Sequence, residues 1–146
     1  MYFEEFEIGQ RFPLERVVIK KENMLAFAKE YDPLPLHIDE NYAAKTQFGA
    51  LIAPGVMSFM SVWSQFLRKE IINDALIAGK STKIEWLAPV YENDILEGTA
   101  IITGLTSRNA YNGLVEITVD IFNQDGLQVI RDVTEAILKK QPKTDA

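Results

Sequence analysis

GVMSFMSVWSQFLRKE (residues 55–70) is the stretch on which the fold turns. Val56, Met57, Phe59, Met60, Val62, Trp63, Phe66 and Leu67 occupy nearly every face of a helix up to Leu67. A helix that is apolar all round belongs inside a protein, so this one is expected to be long and buried. Downstream of it the chain is rich in Ile, Val and Thr with partial alternation. That pattern predicts strands over residues 81–86, 95–106, 114–122 and 129–138. Asn112-Gly113 and Asp125-Gly126 read as hairpin turns between them.

Before the apolar helix, residues 12–19 form a candidate first strand, interrupted early by Pro13. Met24, Phe27, Ala28 and Tyr31 recur at helical spacing and predict a short amphipathic helix over 21–31. Pro33 disfavours helical geometry at the residue before it and should end that helix at Asp32. Pro35 extends the break into a rigid loop through His37, and Asp39 is placed to cap a second short helix to about Lys45. The order is strand, helices, buried helix, then four antiparallel strands. That is an α+β layout in which a curled sheet of about five strands wraps around one long buried helix. Such a sheet leaves edges open, so a homodimer or dimer-based oligomer is expected.

A chain of 146 residues suits one domain, residues 1–146, with 139–146 as a frayed tail. The absence of cysteine excludes disulfides, thiolate metal sites and a cysteine nucleophile. The opening MYFEEFEIGQ lacks the basic start and apolar run of a signal peptide, and the location expected is cytoplasmic. Residues 54–67 are too short, and too interrupted by Ser58, Ser61, Ser64 and Gln65, to span a membrane. A net charge of −6 argues against nucleic acid as the main partner, because phosphate binding needs a basic face.

His37 is the only histidine, and it lies five residues after Asp32 inside YDPLPLHID (residues 31–39). The two do not share a helix face, so the loop must turn before they converge. Given that turn, a carboxylate and an imidazole can hold one water and exchange its proton near neutral pH. On spacing alone, which has little specificity, the same residues read more readily as a surface or hydrogen-bonded histidine beside a helix-ending aspartate, and Asp39 is a further partner available to His37. Gly55 opens the apolar helix, where the first N–H groups lack intrahelical acceptors. Because Pro54 has no N–H, Gly55 or Val56 would donate to a developing oxyanion there. Alternatively, Gly55 serves only close packing. Glu85, beside Trp86, reads as a solvent-facing charge. One histidine without cysteine speaks against a transition-metal site.

In order along the chain, these pieces resemble the MaoC-like dehydratases, which include the (R)-specific enoyl-CoA hydratases. FAKEYDPLPLHIDENYAAKTQFGALIAPGVM (residues 27–57) is similar to their hydratase signature: aspartate, four residues, histidine, an acidic cap, a short Ala-containing helix, Thr-x-Phe-Gly and a glycine opening the long helix. IEWLAPVYENDIL (84–96) and IFNQDGLQVI (121–130) are similar to later family segments. The sequence departs from the pattern at Tyr31, Leu34, Pro54 and Asn93, and Trp63 stands near where some members place a polar support for the histidine. Ser61 or Ser64 would take that part only in a shifted register.

The resemblance implies a hotdog fold and reversible hydration of a trans-2-enoyl thioester to an (R)-3-hydroxyacyl product. Asp32 and His37 would be the acid–base pair, with Gly55 and Val56 beside the carbonyl. Coenzyme A would enter as part of the substrate, and no cofactor or metal is required. Lys80, Lys83 and Arg108 are charges available to its phosphates. A hotdog thioesterase and a non-catalytic acyl-thioester-binding or partner subunit are the competing readings.

Overall fold

Beta-branched runs after residue 94 pair in the order they are made. In the computed structural model, which describes residues 1–143, β4 (Ile95–Ser107), β5 (Asn112–Phe122) and β6 (Gln128–Lys139) form an antiparallel meander. β1 (Arg11–Pro13) and β2 (Val17–Val18) both pair with β4 on its free side. β3 (Leu76–Trp86) crosses over to pair with β6, giving the order β1-β4-β5-β6-β3. The sheet therefore has six strands, against about five expected, because Leu14 to Arg16 splits the first strand in two.

After a 3-10 turn at Phe3–Glu5, three short α-helices precede the long one: α1 (Lys21–Tyr31), α2 (Pro35–Ile38) and α3 (Glu40–Ala44). α1 has the bounds its periodicity predicts. Asp39 caps α3, its Oδ1 accepting from the Tyr42 N–H at 3.0 Å. The expected loop through His37 is instead a helical turn, α2. α4 (Gly55–Arg68) lies on the concave face of the sheet and buries Ser58, Phe59, Val62 and Phe66 against it. Its approach to β4 is close: a Cβ on Gly98 would sit 3.0 Å from Val62 Cγ1. Burial is one-sided, however. Val56 and Met60, one turn apart, remain nearly half exposed, because the sheet of one chain covers only one face of the helix.

Two further expectations are corrected. The turn between β4 and β5 is not Asn112-Gly113 but the segment before it. Asn109 Oδ1 accepts from the N–H groups of Tyr111 and Asn112 at 2.8 and 2.9 Å, and both Asn112 and Gly113 belong to β5. Gly113 has another task, since a Cβ there would lie 2.5 Å from the Phe3 ring. The tail is also held further than expected. Lys139 pairs with Asn112, Lys140 donates to the Asn109 carbonyl at 2.7 Å, and the Gln141 N–H donates to Glu4 at 2.9 Å. Residues 144–146 of the expected tail lie outside the described residues. Among the described residues, no helix is long and apolar enough to cross a membrane.

Candidate active site

Pro33 and Pro35 break the chain where α1 runs out, and this break brings Asp32 and His37 together. Asp32 leaves the helix at φ −150° and ψ 64°, its N–H still bonded to the Ala28 carbonyl at 2.9 Å. The chain turns back through α2, where Pro35 takes the first helical position and needs no N–H partner. His37 Nε2 thereby comes to 3.3 Å from Asp32 Oδ2.

On its other side, His37 Nδ1 is 2.7 Å from the Ile52 carbonyl oxygen. A carbonyl only accepts, so Nδ1 carries the hydrogen and Nε2 is the nitrogen turned toward Asp32. A proton at Nε2 is shared with the carboxylate. Without it, both groups present lone pairs and a water molecule can donate to either. The pair can therefore take or deliver one proton with little heavy-atom movement. Burial differs between the two: the imidazole is 8% exposed and the Asp32 side chain 35%, so the carboxylate stays open to a ligand.

The Ile52 carbonyl is held by its neighbours. The Ile52 N–H donates to the Leu36 carbonyl at 3.3 Å, and the Ala53 N–H to that of Val90 at 2.7 Å. The Thr-x-Phe-Gly segment supports the same wall. The Thr46 hydroxyl donates to the Ala43 carbonyl at 2.7 Å and accepts from the Phe48 N–H at 3.2 Å. Gly49 comes next at φ +73°, and the Tyr91 hydroxyl fixes Phe48 by donating to its carbonyl at 3.0 Å. Asn93 sits at φ +68°, a left-handed position that asparagine tolerates in place of glycine.

Asp32 and His37 form one wall of a largely apolar cleft of about 490 Å³, with Phe48 and Ile52 beside them. Gly55, Val56 and Ser58 bring in the first turn of α4, and Trp86 to Val90 complete the lining. A second cleft of about 410 Å³ shares Asp32 and Val56 and is lined otherwise by Phe27 and Tyr31. Asp32 thus stands where two clefts meet. The Gly55 and Val56 N–H groups, in the first helical turn, have no acceptor within the helix. They lie in the same cleft as the pair.

The remaining candidates are placed elsewhere. The Ser61 and Ser64 hydroxyls donate to carbonyls of their own helix, at 2.7 and 2.9 Å, and Trp63 packs between Phe59 and Phe66. Support for His37 comes from the Ile52 backbone instead, which carries no residue signature. Asp39 is committed to its cap. Glu85 is exposed. Lys80, Lys83 and Arg108 line neither cleft. Arg108 bonds Asn112 at the start of β5. Among the described residues, no group of three or more His, Cys, Asp or Glu side chains converges as a metal site would require.

Comparison with known proteins bears on the same region. The family model described as MaoC like domain matches residues 5–123, a span containing every element from β1 through β5. An (R)-specific enoyl-CoA hydratase of Rhodospirillum rubrum is 27% identical over 110 residues, covering 75% of each chain. Among solved structures, the monoamine oxidase regulatory protein of Archaeoglobus fulgidus superposes with a TM-score of 0.91 at 26% identity, covering 97% of this chain and 96% of that one. An (R)-hydratase from A. caviae involved in PHA biosynthesis gives 0.73 at 26% identity, covering 94% and 99%. The curled sheet around α4 is the hotdog fold.

Proposed function

This chain belongs to the MaoC-like domain family, and on that premise we propose that it reversibly adds water across the C2–C3 double bond of a trans-2-enoyl-CoA to give an (R)-3-hydroxyacyl-CoA. One observation carries the reading: a buried imidazole of fixed tautomer faces an accessible carboxylate at 3.3 Å on the wall of an apolar cleft. Water held between Asp32 and His37 attacks C3 while C2 takes a proton. As that proceeds, negative charge builds on the thioester oxygen, and the N–H groups of Gly55 and Val56 are its donors. Each such donor is worth about 2.7–4 kcal/mol. A substrate with an acyl arm and a pantetheine arm suits two clefts meeting at Asp32. The relatives named as (R)-specific hydratases support both the reaction class and its stereochemistry.

No metal or redox cofactor enters this chemistry, coenzyme A arriving with the substrate, and the enzyme would work in the cytoplasm. We further propose a homodimer, because β3 is an unpaired edge exposed along almost its whole length.

The test is to offer trans-2-enoyl-CoAs of several lengths, follow loss of the conjugated enoyl absorbance, and determine the configuration at C3. Asp32→Asn and His37→Ala should each lower kcat/KM at least ~10²-fold, the lower range for losing general acid–base catalysis, while leaving the far-ultraviolet circular dichroism unchanged. Near-normal turnover in either variant removes the pair from the mechanism. Release of free thiol from a saturated acyl-CoA, without hydration, makes the protein a thioesterase; saturable binding without any product makes it a binding subunit.

A further inference from the structure

Trp86 is an aromatic side chain 54% exposed on the wall of the cleft of about 490 Å³. Its indole lies against the first turn of α4. A Cβ on Gly55 would come within 2.7 Å of Trp86 Cδ1, and closer still to Nε1 and Cε2. Real Cβ atoms do not approach other atoms so closely, so any residue but glycine at position 55 must displace the ring. The indole is thus seated on α4 from one side and borders the cleft that contains Asp32 and His37.

Resting on the reading of this cleft as an enoyl-thioester site, we propose that Trp86 is the specificity-determining residue for the acyl group. The indole sets the width of the cleft beside the α4 N-terminus. Short, unbranched enoyl groups pass between it and the Asp32–His37 wall, and longer ones collide with it. Gly55 then has a second reason to be glycine, which is to keep the ring out of the acyl path. A single misfitting methylene in an apolar pocket is worth about 10–200-fold in kcat/KM, so one ring is enough to impose a preference.

The experiment measures kcat/KM for trans-2-enoyl-CoAs with four-, eight- and twelve-carbon acyl groups. Wild type should favour the shortest. Trp86→Ala should raise the ratio of eight-carbon to four-carbon activity at least ~10-fold, with Trp86→Phe in between. Gly55→Ala should depress every rate, and by less in the Trp86→Ala background, where there is no ring to push. The proposal is overturned by a wild type that prefers longer chains, by a Trp86→Ala effect equal at every length, or by a Gly55→Ala cost indifferent to Trp86.

A binding measurement separates this proposal from the hydratase reading. In Trp63→Phe protein, Trp86 is the sole indole, and titration with saturated butanoyl-CoA should shift its emission at least ~10-fold more tightly than octanoyl-CoA. If Trp63→Phe does not fold, the difference between wild type and Trp86→Phe gives the same readout. That discrimination without hydration of any enoyl-CoA keeps Trp86 and discards the hydratase. Hydration with an emission indifferent to chain length does the reverse.

Discussion

Asp132 is wholly buried on β6, with the Thr82 hydroxyl 2.5 Å from its Oδ1 and the Thr134 hydroxyl 2.6 Å from its Oδ2. The two hydroxyl oxygens are themselves 2.8 Å apart. When Asp132 is ionised, both hydroxyl hydrogens point at the carboxylate and the contact between the threonines has none to share. A proton on Asp132 supplies the missing one. Burial pushes the Asp132 carboxyl above its ordinary range, against the opposing pull of hydrogen bonds from Thr134 and Thr82. The folded state therefore binds this proton more tightly than the unfolded chain does. As pH rises from about 4, the unfolded chain ionises first, and stability falls until the folded carboxyl has ionised as well. Urea unfolding at a series of pH values should show Asp132→Asn gaining on wild type as pH climbs from about 4 to neutrality. A difference that stays constant across pH removes Asp132 from that balance. Asp132 gives no signal in the sequence, where it sits inside an ordinary strand. Asp32 and His37 stand out in the sequence only through the run of motifs in order around them, because an aspartate and a histidine five residues apart have little specificity by themselves. Gly55 is legible only as a glycine. Whether it serves a ligand or a neighbouring ring depends on Trp86, which is distant in the chain.

Gly113 shows how an element can be misplaced by a correct local rule. Asn-Gly favours a tight turn, yet the chain turns earlier because Asn109 bonds two N–H groups of the residues after it. Gly113 is then kept small by Phe3, whose ring lies where a side chain would go. Gly113→Ala should cost about 1–3 kcal/mol, the usual range for overpacking, measured by chemical denaturation. In a Phe3→Ala background, the same substitution should cost much less. An equal cost in both backgrounds would point to a backbone requirement at Gly113 and away from packing. Other elements divide in the same way between local signals and distant ones. α1 and the capped α3 are set by periodicity and one aspartate. Asp125-Gly126 does turn the chain, Gly126 at φ +76°. β3 begins earlier than its Ser81–Trp86 reading because residues 76–80 are exposed at an edge, where no alternation of burial is imposed on the sequence.

β3 presents eleven residues, of which only Ile84 is even partly buried, on an edge with no partner strand. Two register shifts against β6, and Lys80 and Lys83, blunt that edge against indiscriminate pairing. Ile77, at 49% exposure, nonetheless keeps a large apolar side chain on it. On α4, the stripe of Val56 and Met60 is likewise uncovered, although its sequence is that of a buried helix. A periodicity that calls for burial on every face, met by a sheet that covers one, is satisfied when a second copy covers the other. On the proposed dimer, the apolar composition of α4 is explained by a contact between two copies. Sedimentation equilibrium should give a mass of about 33 kDa, twice the 16.5 kDa chain. Met60→Lys or Ile77→Lys should raise the dimer dissociation constant at least ~10-fold, about 1.4 kcal/mol. Neither residue lines a cleft, whereas Val56 belongs both to the exposed stripe and to the two clefts at Asp32. Dissociation should thus also raise KM for the enoyl thioester, through the face that Val56 shares with the partner. A wild type that sediments as a monomer at micromolar concentration rejects the dimer, and leaves the exposed side of α4 as an apolar surface open to another protein.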